Sequence, residues 1–380
     1  MGRKNIGLFF SYNENWIGGT YYMMNLIEAI KLLPENDQPH LSIFYDKIED
    51  QKKILELQYP FIDFIQTNNN DQFIKRALRF LSKKIIKKDI FQPQLVKKIA
   101  LKYYDGVFPL PFGFTDRLAK KNIYWIPDFQ EMYFPEFFSI GQLNYRKHWQ
   151  NKIAASNNEI VFSSKDAHKD FVKLYPRSKA KQYIIPFAVT HPDYQQIDLD
   201  SVVKKYQLPE NYFFCPNQFW MHKNQLIVLE AIRTLQVAHN KDVTIVFSGK
   251  ISDAIQNNYF GKLEEYTIQN NMANNVLFLG FIDRKEQLLI MKHALAVIQP
   301  SLFEGWSTVI EDAKAMDQNI IASNLAVHIE QLNEKAVYFD PHDSNSLVKA
   351  LLQFEKKQVA FDYKKNKMNF ATAFINMINE

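Results

Sequence analysis

Two hydrophobic rhythms alternate along the chain. Short apolar runs, at residues 5–10 and 41–45, read as buried parallel strands, whose two faces are both covered. Between them Tyr22, Met23, Leu26, Ile27, Ile30 and Leu33 recur three and four apart, one face of a helix opened by Gly18-Gly19-Thr20. Further strands are expected at 105–109, 122–126, 159–163 and 182–186, with a helix over 164–174 and a polar link around 190–200.

The alternation then starts afresh. Residues 212–215, 243–248, 275–279, 294–298, 319–322 and 336–339 read as strands. Helical spacing recurs over 224–235, where Leu226, Leu229, Ile232 and Leu235 are in phase, and over 254–270 and 285–292. Strands alternating with helices in two successive halves predict two doubly wound parallel sheets with a cleft between them. The last stretch, 363–378, is a separate amphipathic helix.

Chemistry gathers where strands end. The stretch Gln299-Pro-Ser-Leu-Phe-Glu-Gly-Trp-Ser-Thr-Val-Ile-Glu-Asp-Ala-Lys-Ala-Met316 follows the strand at 294–298. Ser307 and Thr308 are good N-cap types, and Val309, Ala313 and Met316 then follow at helical spacing, so Glu304 and Gly305 fall in a strand-to-helix loop. Ligands bind outside the carboxyl ends of such strands, and a helix N-terminus offers N–H groups to phosphate. This is a place to hold an anionic ligand while presenting a carboxylate to it.

A second loop, Pro216-Asn-Gln-Phe-Trp-Met-His-Lys-Asn224, sets Lys223 at the start of a helix, where an ammonium neutralises a diphosphate leaving group. His222 beside it is expected to point outward. Gly18 and Gly19 permit close backbone approach to a ligand, and no Gly-x-Gly-x-x-Gly is present to indicate a nicotinamide dehydrogenase. The aromatic-rich segment 125–138 suits either a packed loop or an acceptor pocket with Asp128 as polar anchor.

Together these residues resemble the family 4 retaining glycosyltransferases of the GT-B fold. Glu304, seven residues, then Asp312 with Ala313 and Ala315 is similar to their paired-acid signature, with Asp in place of the second Glu and Asp317 in place of Gly. The resemblance implies that Glu304 faces the donor sugar and that Asp312, or failing it Glu311, holds the ribose. The loop at 216–224 resembles the family's donor-phosphate loop, with Lys223 matching its lysine and Gln218 standing where an arginine is usual. By the same resemblance Gly18, Gly19, Asn217, Phe303, Gly305, Ser307 and Thr308 join the donor site. Gly249 supports the phosphates, and Phe281 lies against the base. Pro127 stands where the family often has a His touching the donor sugar.

The architecture implied is an acceptor domain of residues 1–190, with 361–380 crossing back onto it, and a donor domain of 191–360. The activity implied is transfer of a hexose from a UDP- or GDP-linked donor to a glycan or lipid-linked saccharide, in bacterial surface polysaccharide assembly, with no cofactor and no metal for chemistry. A sugar-nucleotide epimerase is the alternative within the fold. Gln218, Pro127 and Asp312 leave open a non-catalytic scaffold subunit.

Composition adds little to this. With 380 residues, 47% hydrophobic and 23% charged, the chain suits two globular domains. The single cysteine, Cys215, lies in an apolar run and reads as a buried strand residue in a protein of a reducing compartment. No run of apolar residues is long enough to span a bilayer, and the N-terminal one is too short for a signal peptide, so a cytoplasmic protein is expected. The histidines show no metal-binding spacing, Asp198-Leu-Asp200 falls in a linker-like polar run, and His328 and Glu330 read as structural.

The net charge of +5 is unevenly spread. Ten Lys or Arg residues fall within 73–102 against one acid, Asp89. Ile74, Ala77, Leu78, Leu81 and Ile85 form an apolar stripe there, the pattern of a helix lying on anionic lipid, or of a core-packed helix with a solvated cationic face. No nucleic-acid-reading module accompanies the charge, so nucleic acid is not an expected partner.

Overall fold

The computed structural model describes residues 2–13, 17–67, 104–112, 119–251 and 258–380. The basic segment 73–102, with its expected membrane contact, lies outside the described residues, as does the start of the helix expected at 254.

Strands β1 (Asn5–Phe9), β2 (His40–Tyr45), β3 (Ile62–Gln66), β4 (Gly106–Phe108), β5 (Lys121–Ile126), β6 (Glu159–Phe162) and β7 (Lys181–Ile184) form a parallel sheet in the order β3-β2-β1-β4-β5-β6-β7. A second parallel sheet holds β8 (Phe213–Cys215), β9 (Ile245–Phe247), β10 (Val276–Phe278), β11 (Val297–Gln299), β12 (Ile320–Ser323) and β13 (Val337–Phe339), in the order β10-β9-β8-β11-β12-β13. Ile6, Leu8, Val297, Ile298 and Ile321 are completely buried, which explains the unbroken apolar runs.

Each sheet runs outward from its first strand, then resumes on that strand's other side. The switch points lie between β1 and β4 and between β8 and β11. Crevices open at the carboxyl ends of such strand pairs. Gly18 and Gly19 follow β1, Lys223 follows β8 and Glu304 follows β11.

One core runs from Ile6 to Val189 and takes in Tyr363, Phe370, Phe374 and Ile378 of the last helix, Tyr363–Asn379. Tyr194 already belongs to the core of the second sheet. Burying each large apolar side chain contributes roughly 1.5–3 kcal/mol, so these few hold the helix across the domain boundary. Gly106 is part of the reason it fits, since a Cβ there would come within 2.5 Å of Ile378 Cδ1. Lys121 Nζ donates to the Met377 carbonyl at 2.6 Å, a cation on the helix's last turn.

The expected strands and helices are present within a few residues. The chain also forms β3 and the helices Ile48–Leu55, Ile140–Ala155, Leu199–Tyr206, Ala326–Leu332 and Ser344–Leu352. Asp198, expected in a linker, caps the helix Leu199–Tyr206 by accepting from Ser201 N at 3.1 Å. Among the described residues no helix is long and apolar enough to cross a membrane.

Candidate active site

Because β8 and β11 are neighbours, the loops that leave them meet. Lys223 ends the turn Met221–Lys223, and Glu304 lies in the loop before the helix Thr308–Ala315. Asn224, with φ at 57°, starts the helix Gln225–His239, and its amide bonds the carbonyls of Pro300 and Pro341. Asparagine tolerates that left-handed conformation better than most residues.

Glu304 Oε1 accepts from Lys223 Nζ at 2.7 Å, from Gln299 Nε2 at 2.8 Å and from Ser301 Oγ at 2.8 Å. No described residue donates to Oε2. The Lys223 and Glu304 side chains are only 15% and 9% exposed. Burial pushes the Glu304 carboxyl up, but Lys223, then His328 and His222, hold it below its ordinary value. It is an anion with one oxygen fixed by the protein and the other open to a ligand.

Gly305 is a glycine for reasons of contact. A Cβ there would lie 2.7 Å from the Pro127 carbonyl oxygen and 2.8 Å from Asp128 Cβ, so only glycine lets the loop after β11 touch the loop after β5. Asp128 thereby comes close to Glu304. Burial, then Glu131 and Glu304, raise its carboxyl above the usual range, against the Gln130 N–H and Arg146. Trp306 strengthens the same junction, donating from Nε1 to the Phe187 carbonyl at 3.0 Å.

Two adjoining cavities occupy the cleft. The smaller, about 240 Å³, is lined by Gly18 and Gly19 from the first domain, and by Asn217, Gln218 and Lys223 after β8. Phe303, Glu304, Gly305, Ser307 and Thr308 close its other side. Ser307 caps its helix through Oγ to Ile310 N at 3.3 Å. The first-turn N–H groups of Thr308 and Val309 have no intrahelical partner.

The larger cavity, about 890 Å³, is walled by Phe112, Trp125, Phe137, Phe138 and Tyr145, with Arg146 and Lys250 at its edge. Asp128, Gln218, Trp220 and His222 line both. The aromatic segment after β5 therefore shapes a pocket, with Asp128 at its junction.

Several other expected residues lie away from the cavities or are engaged within the protein. Asp312 does not line the cavity. It is 1% exposed, and its Oδ1 accepts from Arg284 Nη2 and from His191 Nε2, the latter at 3.2 Å. Arg284 and His191 overcome burial to keep its carboxyl below the usual value.

Glu311 is equally engaged. Its Oε2 accepts from the Tyr363 hydroxyl at 2.7 Å, and its Oε1 accepts from Lys314 at 2.8 Å and Gln331 at 3.0 Å. Tyr363 in turn accepts from Val189 N at 2.8 Å. These two carboxylates thus join the donor-side helix to both chain crossings rather than to the cavity.

Phe281 is 78% exposed and lines neither cavity. Gly249 also stands off the cavities, packed so closely that a Cβ would lie 2.1 Å from the Asn217 carbonyl oxygen. His222 does not point outward. It is 5% exposed, among Trp220, Phe134 and Phe137.

Glu330 bridges the domains, accepting from Lys165 N at 2.9 Å. His328 is wholly buried, its Nδ1 3.0 Å from the Ser323 carbonyl. Among the described residues no group of three or more His, Cys, Asp or Glu comes together as metal ligands do.

Residues 198–372 match the family model of glycosyl transferases group 1. Over 267 residues, 70% of each chain, the sequence is 21% identical to the O-antigen chain mannosyltransferase RfbU of Salmonella typhimurium. The fold is similar to that of a glycosyltransferase from Rickettsia africae, with a TM-score of 0.63 and 16% identity over 100% of this chain and 94% of that one. It is also similar to Anabaena Alr3699/HepE in complex with UDP, with a TM-score of 0.61 and 16% identity over 99% and 97%. Residues 198–372 are thus a glycosyl transferases group 1 domain, and the two parallel-sheet domains together have the GT-B fold.

Proposed function

We propose that this enzyme is a retaining transferase that moves a hexose from a UDP- or GDP-linked donor to a glycan or lipid-linked saccharide acceptor. The observation that carries the reading is the meeting of Lys223 and Glu304 on the wall of the smaller cavity, at the switch point of the second sheet. On binding a nucleotide diphosphate, Lys223 exchanges Glu304 for phosphate oxygen, with Gln218 and the first turn of the helix Thr308–Ala315 beside it. Glu304, freed of that pairing, offsets positive charge developing at the sugar ring.

The bond from the anomeric carbon to phosphate breaks, its electron pair leaving with the diphosphate. The acceptor hydroxyl attacks from the same face and passes its proton to the leaving phosphate oxygen. Acceleration rests on positioning and fixed charge, with no covalent intermediate on the protein.

The larger cavity suits the acceptor, since aromatic walls take sugar faces or an apolar anchor and Asp128 offers a polar point. The similarity to a mannosyltransferase of O-antigen chains supports a hexose and a bacterial surface polysaccharide. The similarity in fold to a protein solved with UDP supports a nucleotide in the cleft. On this reading the donor domain is 191–360, and the enzyme works in the cytoplasm. The basic segment 73–102 carries it to the anionic inner face of the membrane.

A thermal-shift screen with UDP, GDP, ADP and CMP tests the reading, because a ligand at a hundredfold its Kd stabilises the fold by about 2.7 kcal/mol. One clear shift, followed by release of that nucleotide from its sugar conjugate, is the expected outcome. No shift with any nucleotide overturns it.

A further inference from the structure

His222 is placed where a ligand is needed to complete it. Its side chain is 95% buried by its 5% exposure, yet it lines both cavities. Its Nδ1 is wholly enclosed, so Nε2, to which no described residue hydrogen-bonds, is the nitrogen a ligand in the cavities can reach. A polar nitrogen that faces a cavity among aromatic rings, with no partner from the protein, is a point for the polar group of a ligand.

The setting selects a polar but uncharged partner. The ring centroids of Trp220, Phe137 and Phe134 lie 5.5, 6.0 and 6.4 Å away and offer faces and edges rather than acceptors. Burial, then the neighbouring Lys223, depress the imidazole to about 3, against the pull of Glu304, so it is neutral under working conditions. In either tautomer the reachable Nε2 has a partner in a hydroxyl group, which accepts from it as N–H or donates to its lone pair. The main chain fixes its position as well, since Leu302 N donates to the His222 carbonyl at 2.8 Å and so couples it to the loop carrying Glu304.

We propose that His222 is a specificity-determining residue whose imidazole hydrogen-bonds a sugar hydroxyl at the junction of the two cavities, on the reading that Lys223 and Glu304 hold the donor. Orienting one hydroxyl there distinguishes a hexose from its epimer. A site that hydrogen-bonds a substrate hydroxyl discriminates because the wrong isomer leaves the buried group unpaired.

The test compares the native protein with His222→Phe, which keeps the aromatic collar, and His222→Asn, which restores hydrogen bonding. The probes are UDP and GDP for binding, and UDP-glucose, UDP-galactose and GDP-mannose for nucleotide release. His222→Phe is expected to bind the preferred nucleotide as the native protein does, while its kcat/KM ratio between epimeric donors, or between acceptors where the donors are not distinguished, falls about tenfold toward unity. His222→Asn should recover part of that ratio.

An unchanged ratio in a His222→Phe protein that still binds nucleotide overturns the proposal alone. Equal losses of nucleotide binding and turnover in both variants, with a lowered Tm, make His222 a packing residue and overturn it too. A native protein that binds neither UDP nor GDP defeats the donor reading itself and the proposal with it.

Discussion

Lys223 Nζ lies 2.7 Å from Glu304 Oε1, a part-buried ion pair joining the loops of two adjacent strands. Pairing them is a consequence of strand order, since β8 and β11 flank the switch point although the two residues are 81 apart in sequence. The pair also gives each residue a separable effect. Glu304→Gln keeps the shape and most hydrogen bonds but removes the charge that the proposed mechanism sets against the sugar. Transfer should fall about a hundredfold or more, with nucleotide binding retained. Lys223→Ala should instead abolish the nucleotide-induced thermal shift, and lower stability by about 3–5 kcal/mol by leaving Glu304 buried without its cation. Both variants transferring sugar at the native rate would remove this pair from the mechanism.

Asp312 makes the opposite case, an acid at a promising spacing that the fold uses for support. Arg284 and His191 approach one of its oxygens from another helix and from the interdomain link. Asp312→Asn should therefore lower stability by about 3 kcal/mol, through a broken buried pair, while nucleotide affinity stays within a factor of about three. Titration of the binding site alongside urea unfolding distinguishes the roles. A tenfold loss of affinity at native stability would return Asp312 to the ribose.

What was legible in the sequence follows the range of the interactions. Glu304, Gly305 and Lys223 sit at strand ends, so local rhythm and residue type were enough to locate them. The family resemblance points to Asp312 by its place after Glu304, but its partners Arg284 and His191 lie 28 and 121 residues away, where no local pattern reaches. His222 read as an exposed helix residue because Phe134 and Phe137, which cover it, come from the other domain. The helix Ile140–Ala155 escaped because it has no clear apolar face, and Ile140 is 78% exposed. Its one local signal was the capping box of Ser139 and Gln142.

Gly305 tests whether the contact between domains matters to chemistry. An alanine methyl there would press on Pro127 and Asp128, backbone included, and force the two loops apart. A displacement near 1 Å at the reacting groups can lower turnover on the order of a hundredfold. Gly305→Ala is expected to lose at least tenfold in kcat/KM while its Tm stays within a few degrees. Native kinetics in that variant would mean that the loops move freely past one another during the reaction.

Acid sensitivity should begin well above the carboxylate range. Burial holds His328 down to about 4 and His222 down to about 3, against an ordinary value of 6.5. Above that ordinary value both are neutral in the folded and the unfolded chain, and their contribution to stability is complete. Below it the unfolded chain takes up protons that the fold refuses, so stability falls through the window from 6.5 to about 4 and about 3, by up to about 1.4 kcal/mol per pH unit for each histidine. Glu304 and Asp312, held below 4.5 and 3.8, add their losses only at lower pH. Asp128 and Glu330, whose carboxyls burial raises, work in the opposite sense. His328→Asn keeps a donor for the Ser323 carbonyl and removes one of the two protons. Urea unfolding at pH 7 and pH 5 should show the variant losing less stability between those values than the native protein, and equal losses would mean that His328 takes up its proton inside the fold.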